Sequence, residues 1–241
     1  MDMESVPLQK YLVEAGLGAR RQVVSAIKQG RVAVNGKVAT GYTMPVFPAL
    51  DAIAFDGKQV KFKPSEMLVF MVHKPVDVLS TTRDERGRKT VIDMLPERYR
   101  SLGLYPAGRL DYDSTGLLIL TNDGNLTYRL THPRFEHEKE YLVTVSGKLS
   151  EEDKNKLEKG VLLEDGMTYP AAIREAHDAS YTYSITIHEG RHRQVKRMFL
   201  SVGHEVKALK RIRIGRLELG ELEEGQIKKL SQAEIGKLLR R

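Results

Sequence analysis

The sequence predicts an α+β fold in two units, residues 1–62 and 67–241. Three observations carry this. The N-terminal stretch sets apolar residues at helical spacing and then runs into an alternating hairpin. From residue 67 onward, short apolar strands are joined by connections several of which are too brief for βαβ crossovers, which favours antiparallel pairing. Between the units lies 61–66, a polar stretch with Pro64 inside it, which reads as a linker.

In the small unit, Pro7 opens a helix whose apolar positions are Leu8, Tyr11, Leu12 and Ala15, with Gly16 behind them. A second helix covers 19–29, with Val23, Val24 and Ile27 inward and Gly30 as its stop. Residues 31–38 alternate around Asn35-Gly36, the strongest short hairpin signal. Strands follow near 52–55 and 59–62.

In the large unit, strands are predicted at 68–72, 116–120, 141–145, 183–187 and 206–212. A turn at Asn122-Asp123-Gly124 stops the second of these. Helices are predicted at 125–131, at 151–159 with Ser150 as cap, and at 194–202. No long repeat and no low-complexity tract interrupts the pattern.

The composition bounds the chemistry. The chain is 41% hydrophobic and 29% charged, as expected of a globular protein that packs a core. Its formal charge of +7 points to an anionic partner, nucleic acid before membrane, because no basic amphipathic helix stands out. There is no cysteine, which excludes disulfides, thiolate zinc sites and a thiol nucleophile. No apolar run approaches the roughly 18 residues that span a bilayer. Residues 1–10 are acidic-polar and lack a signal-peptide core, so the cytoplasm is the expected compartment.

Two basic clusters stand out. Arg20, Arg21, Lys28, Arg31 and Lys37 crowd the small unit. Between Arg191 and Arg216 there are nine Lys or Arg residues and a single acid, Glu205. Clustered cations gain affinity for phosphates by releasing counterions. The bland alternative is a solvated face.

One loop carries the densest chemistry. Gly108-Arg109-Leu110-Asp111-Tyr112-Asp113-Ser114-Thr115 sets a guanidinium beside two acids and feeds straight into an apolar strand. The glycines form neither a dinucleotide nor a P-loop fingerprint. The seven histidines show no His-Glu-x-x-His spacing. His192 lies between two arginines, which disfavours a cation, and His132 and His137 read as loop or RNA-facing residues. No metal site is expected.

At this point a resemblance is visible. Residues 8–38 resemble the small RNA-binding domain first known from ribosomal small-subunit protein four. Gly108-Arg109-Leu110-Asp111 with Thr115-Gly116-Leu117-Leu118 resembles the catalytic signature of the RNA pseudouridine synthases. The branch resembled is the ribosomal one, which joins these two domains in this order. His73-Lys74-Pro75, Lys139-Glu140-Tyr141, Glu189 to Met198, Gly203-His204 and Arg211 to Gly215 also fit. His73 departs from the family's more frequent Asn, at a position that resembles an edge of the fold.

The resemblance implies isomerisation of uridine to pseudouridine, with no cofactor and no metal. It implies a mixed, largely antiparallel sheet with a central basic cleft where Asp111, Tyr141 and Arg191 converge. Asp111 takes the catalytic carboxylate's place, attacking ribose or base or removing a ribose proton; Asp113 is left as a loop acid that steadies the turn. Tyr141 would stack on the target base and move a proton. Arg191 would pair with Asp111 and keep it ionised, with Arg193 next in line. Arg109 would fill the space of the flipped nucleotide. RNA contacts are expected from Arg20, Arg21, Lys28 and Arg31 in the small unit and from Arg193, Lys196 and Arg197 in the large one.

The implied partner is ribosomal RNA or a ribosomal assembly intermediate, met by a monomer. Residues 163–166 look more like the large-subunit enzymes, and 138–144 more like the small-subunit enzyme. The alternatives are a non-catalytic assembly factor that binds ribosomal RNA, and a synthase acting on small-subunit or transfer RNA.

Overall fold

Turn residues dictate the small unit. The computed structural model describes residues 5–60 and 66–240, and the chain divides into two units, 1–67 and 68–241. Residues 61–65 of the predicted linker, with the end of the strand predicted over 59–62, lie outside the described residues.

In the first unit, β1 (Val6–Pro7) leads into α1 (Leu8–Glu14), and α2 (Arg20–Lys28) follows. Then come β2 (Val32–Val34), β3 (Lys37–Val38), β4 (Pro45–Val46), β5 (Ile53–Phe55) and β6 (Lys58–Gln59). The sheet runs β3-β2-β5-β6, and β1 pairs with β4. Asn35-Gly36 joins β2 to β3 with both residues at positive φ, 51° and 76°. Asp56-Gly57 repeats the device between β5 and β6, at 50° and 74°. Leu8, Tyr11, Leu12, Val23 and Ile27 bury one face of each helix against Val32, Val46 and Ile53. Val24 and Ala15, predicted inward, are only half-buried.

The second unit contains β7 (Val69–Lys74), α3 (Glu97–Arg100), β8 (Tyr105–Pro106), β9 (Thr115–Thr121), α4 (Gly124–Thr131), a 3-10 turn (Pro133–Phe135) and β10 (Lys139–Val145). It continues through α5 (Glu151–Lys159), β11 (Leu162–Leu163), β12 (Gly166–Met167), β13 (Ala172–Glu175), β14 (Tyr183–Ile187) and α6 (Gln194–Ser201). It closes with β15 (Val206–Ile214), β16 (Leu217–Glu218), β17 (Ile227–Lys229) and α7 (Gln232–Leu238).

A nine-stranded sheet runs β13-β14-β10-β15-β9-β7-β17, with β16 on β15 and β8 on β9. Only the central β15–β9 pair is parallel. The sheet is therefore mixed and largely antiparallel, as the sequence predicts.

Both faces of its middle are covered, so β7 and β9 are continuous apolar runs rather than alternating ones. Phe70, Val72, Leu118 and Leu120 face one core with Leu157 of α5 and Val195, Met198 and Phe199 of α6. Val69, Met71, Leu117 and Ile119 face the other with Leu126 and Leu130 of α4 and Ile235 and Leu238 of α7. Each such side chain contributes about 1.5–3 kcal/mol when fully buried.

Asn122-Asp123-Gly124 does more than end a strand. The Asp123 carboxylate accepts from the backbone N–H of Asn125 and Leu126 and so starts α4. His73 is not at an edge: β7 lies between β9 and β17, and the ring is buried against the Leu222 carbonyl. Among the described residues no helix is long and apolar enough to cross a membrane.

Candidate active site

The loop before β9 is fastened along its length. Gly108 takes φ 93°, and the Ala107 N–H donates to the Ile119 carbonyl at 2.8 Å. The Leu110 N–H donates to Ser80 Oγ at 3.1 Å, and Ser80 Oγ donates back to the Leu110 carbonyl at 2.8 Å. Lys74 Nζ, wholly buried, donates to the Ser114 carbonyl at 2.9 Å and the Pro75 carbonyl at 2.6 Å. Burial pushes the Lys74 ammonium down to about 8, against the pull of Asp113 and Asp111. A buried donor thus clamps the backbone immediately after the two acids.

The loop's far end meets the parallel strand pair. Gly116 lies opposite Arg211, and a Cβ there would stand 2.2 Å from the Arg211 carbonyl oxygen. Only glycine permits that approach. Arg211 is buried and turns its side chain across the sheet. Its Nε donates to the Leu117 carbonyl at 2.7 Å, and its Nη1 to the Tyr141 hydroxyl at 3.4 Å. A register shift between Glu140 and Tyr141 sets Tyr141 against Arg211.

These parts enclose a cleft of about 340 Å³. Arg109, Asp111, Lys139, Tyr141, Arg191 and Arg211 line it. Asp111 is half-buried and Tyr141 buried. Lys139 and Tyr141, two apart on β10, share one face of the strand. Among the described residues no three His, Asp or Glu side chains group to hold a metal ion.

A carboxylate, a phenol and several cations around one concave space suit work on an anionic polymer. Comparison with known proteins decides which work. Residues 68–201 match the family model described as RNA pseudouridylate synthase, and residues 6–46 match the S4 domain.

The chain belongs to the RNA pseudouridylate synthase family.

A relative from Bacillus subtilis, named ribosomal large subunit pseudouridine synthase B, is 41% identical over 96% of this synthase and 94% of its own length. An uncharacterized RNA pseudouridine synthase of Aquifex aeolicus is 40% identical over 99% and 95%. A solved crystal structure of a pseudouridylate synthase superposes with a TM-score of 0.69 at 36% identity, covering 97% of this synthase and all of that chain.

The cleft brings together Asp111, Tyr141 and Arg191, with Arg109 and Arg193 also on its walls. It does not pair Arg191 with Asp111. Arg191 Nε donates to Glu189 at 3.0 Å, and its Nη atoms to the carbonyls of Asp165, Gly166 and Met167 at 3.1, 2.8 and 2.5 Å. Three carbonyls and the carboxylates of Glu189 and Asp165 engage all three guanidinium nitrogens. Arg191 therefore ties the β11–β12 hairpin to the cleft wall.

Arg193 is not the partner of Asp111 either. Arg193 and Lys196 meet Asp113, at 3.2 and 2.6 Å. Burial pushes the Asp113 carboxyl up, but the two cations outweigh it and hold the group below the ordinary carboxylate value. Arg197 pairs with Asp165 at 2.9 Å, and its hydrogen bonds draw that carboxyl down to about 2. The basic run from Arg191 to Arg216 is thus largely matched by acids from distant segments. Arg213 completes this pattern with Glu138 and Glu140.

In the S4 unit, Arg20, Arg21, Lys28 and Arg31 are all exposed. Arg31 pairs with Asp56 and lies over the Phe55 ring at 5.1 Å. Ser80, Lys139 and Arg211 received no role from the sequence. Lys139 and Arg211 do fall within motifs that fit the family, but those motifs assign them no function.

Proposed function

We propose that the synthase isomerises a uridine of large-subunit ribosomal RNA to pseudouridine, with Asp111 as the essential carboxylate. One observation supports this most: the half-buried Asp111 shares its cleft with Tyr141, on a loop clamped from behind by Lys74. The names of the Bacillus and Vibrio relatives supply the large-subunit substrate. Tyr141 stacks on the target base and moves a proton. Arg109, exposed on the cleft wall, occupies the room vacated when the nucleotide is extracted from its stack. Arg191 acts as a positioning residue through the hairpin it holds.

The exposed arginines and lysine of the S4 unit grip RNA by its phosphates and shape. Arg193, Lys196 and Arg197 are secondary contacts, since a phosphate must compete with Asp113 or Asp165 for them. The chain acts as a monomer. The substrate is ribosomal RNA, free or in an assembly intermediate, and the compartment is the cytoplasm.

Mapping pseudouridine across cellular RNA with and without the chain tests the reading. A large-subunit position should disappear and return with the wild-type chain but not with Asp111→Asn. A change confined to small-subunit or transfer RNA would replace the substrate. Return of the modification with Asp111→Asn would remove Asp111 from the reaction.

A further inference from the structure

The isomerisation opens a bond and closes another, and between the two the base is an anion. When the C1′–N1 bond breaks, its electron pair stays with uracil and spreads over N1, O2 and O4. Later C5 supplies the pair that bonds to C1′, the C5 proton leaves, and N1 takes a proton. No proton or electron is gained overall. Each of the three routes open to Asp111 places negative charge on the uracil oxygens before C5 bonds. A water-poor cleft must answer that charge with a fixed cation.

We propose that Lys139 is that cation, its ammonium holding the uracil anion between bond breaking and bond making. This rests on the assignment of the cleft to uridine isomerisation.

Three observations carry it. Lys139 lines the cleft with Asp111, and two residues on along β10 its strand presents Tyr141, the residue assigned to the base. Its Nζ makes one hydrogen bond among the described residues, to the His137 carbonyl at 3.1 Å, whereas an ammonium has three N–H groups to give. No carboxylate of a described residue stands within ion-pair distance of it.

Glu189, the acid whose charge acts on Lys139, is already engaged. It accepts from Arg191 Nε at 3.0 Å, from Gln194 Nε2 at 2.6 Å and from the Tyr169 N–H at 2.9 Å. Burial, with Arg211 adding to it, pushes the Lys139 ammonium down to about 8. That is the behaviour of a cation kept short of counter-charge. Arg211, its guanidinium 5.9 Å from the Tyr141 ring centre, adds positive field that Lys139 feels. Of the remaining cleft arginines, Arg191 is spent on the hairpin, Arg193 pairs with Asp113, and Arg109 is exposed on the wall.

The test compares leaving groups. Large-subunit ribosomal RNA is transcribed with uridine or with 5-fluorouridine, and the rate of C1′–N1 scission is measured in single turnover. Fluorine withdraws electrons and stabilises the uracil anion, so the fluorinated base needs less help from the protein. Lys139→Met should slow scission about 100-fold with uridine. With 5-fluorouridine the loss should be at least about tenfold smaller. Equal losses on both RNAs would overturn the assignment and leave Lys139 a structural or RNA-binding residue.

A second readout does not depend on turnover. 5-Nitrouracil, an anion at neutral pH, should bind the wild-type chain at least about tenfold more tightly than Lys139→Met. Equal binding, with both proteins melting cooperatively, also overturns the assignment. Failure of the wild-type chain to modify this RNA counts against the proposed substrate, and 5-nitrouracil binding then decides the role of Lys139.

Discussion

Asp111 is a carboxylate held from behind. Ser80 fastens Leu110, and Lys74 grips the Ser114 carbonyl, so the acid has little freedom to retreat. Asp111→Asn keeps the shape and removes both base and nucleophile. Turnover should fall by at least about 10³, while affinity for ribosomal RNA stays within about twofold. Turnover within tenfold of wild type would show that another group does the chemistry. Tyr141→Phe keeps the stacking face but takes a hydrogen-bond partner from buried Arg211. It should bind RNA normally, turn over more slowly, and lose about 1–3 kcal/mol of stability in urea titration. A full-speed Phe variant beside an inactive Leu variant would reduce the role of Tyr141 to stacking.

Two small elements decide how these residues meet. The first is the parallel contact of β9 with β15, closed over Gly116. Gly116→Ala drives a methyl into the Arg211 backbone, which cannot swing aside as a side chain could. Denaturant unfolding should show a loss above about 4 kcal/mol. The second is the β11–β12 hairpin, moored by Arg191. Arg191→Met strands Glu189 without its guanidinium and should cost about 3 kcal/mol. Amide exchange should quicken at Gly166 and Met167. The acidic limb of the pH–rate profile should stay in place; its movement to higher pH would restore Arg191 as the partner of Asp111. These elements also mark how far sequence can be read. The strand at Tyr183–Ile187 and the Ser150-capped helix at Glu151–Lys159 stand where predicted, because alternation and capping are local signals. The predicted elements omit α7, although Ser231 and Glu234 spell its capping box. Asp111 and Tyr141 are legible as neighbours in one cleft because short motifs carry them. The partner of Arg191 is not, because a hairpin more than twenty residues upstream competes for it. The same distance effect hides Asp113 and Asp165 from a count of local charge.

Across the whole molecule, charge sets two further expectations. Arg21→Glu with Lys28→Glu should flatten the slope of log affinity against log salt by about 0.7–0.9 for each phosphate that the variant no longer neutralises. An unchanged slope would mean that the S4 unit meets something other than RNA. The second concerns Lys74 and Lys139, both drawn from 10.5 to about 8 in the folded chain. Between those values the unfolded chain binds more protons than the folded one, so stability should rise with pH. Urea midpoints at pH 8 and pH 9.5 should show the rise, and it should shrink in Lys139→Met. A fall over that window in the wild type, with no difference in the variant, would mean that burial does not govern these lysines. The clamp on the Asp111 loop has a consequence for the other molecule. A tool that does not yield leaves the workpiece to bend, so the strain of unstacking a uridine falls on the RNA. The rate then depends on how readily the target uridine opens by itself, and loosening its pairing should speed modification. Pseudouridine at that position then reports how soft the ribosomal RNA is around it.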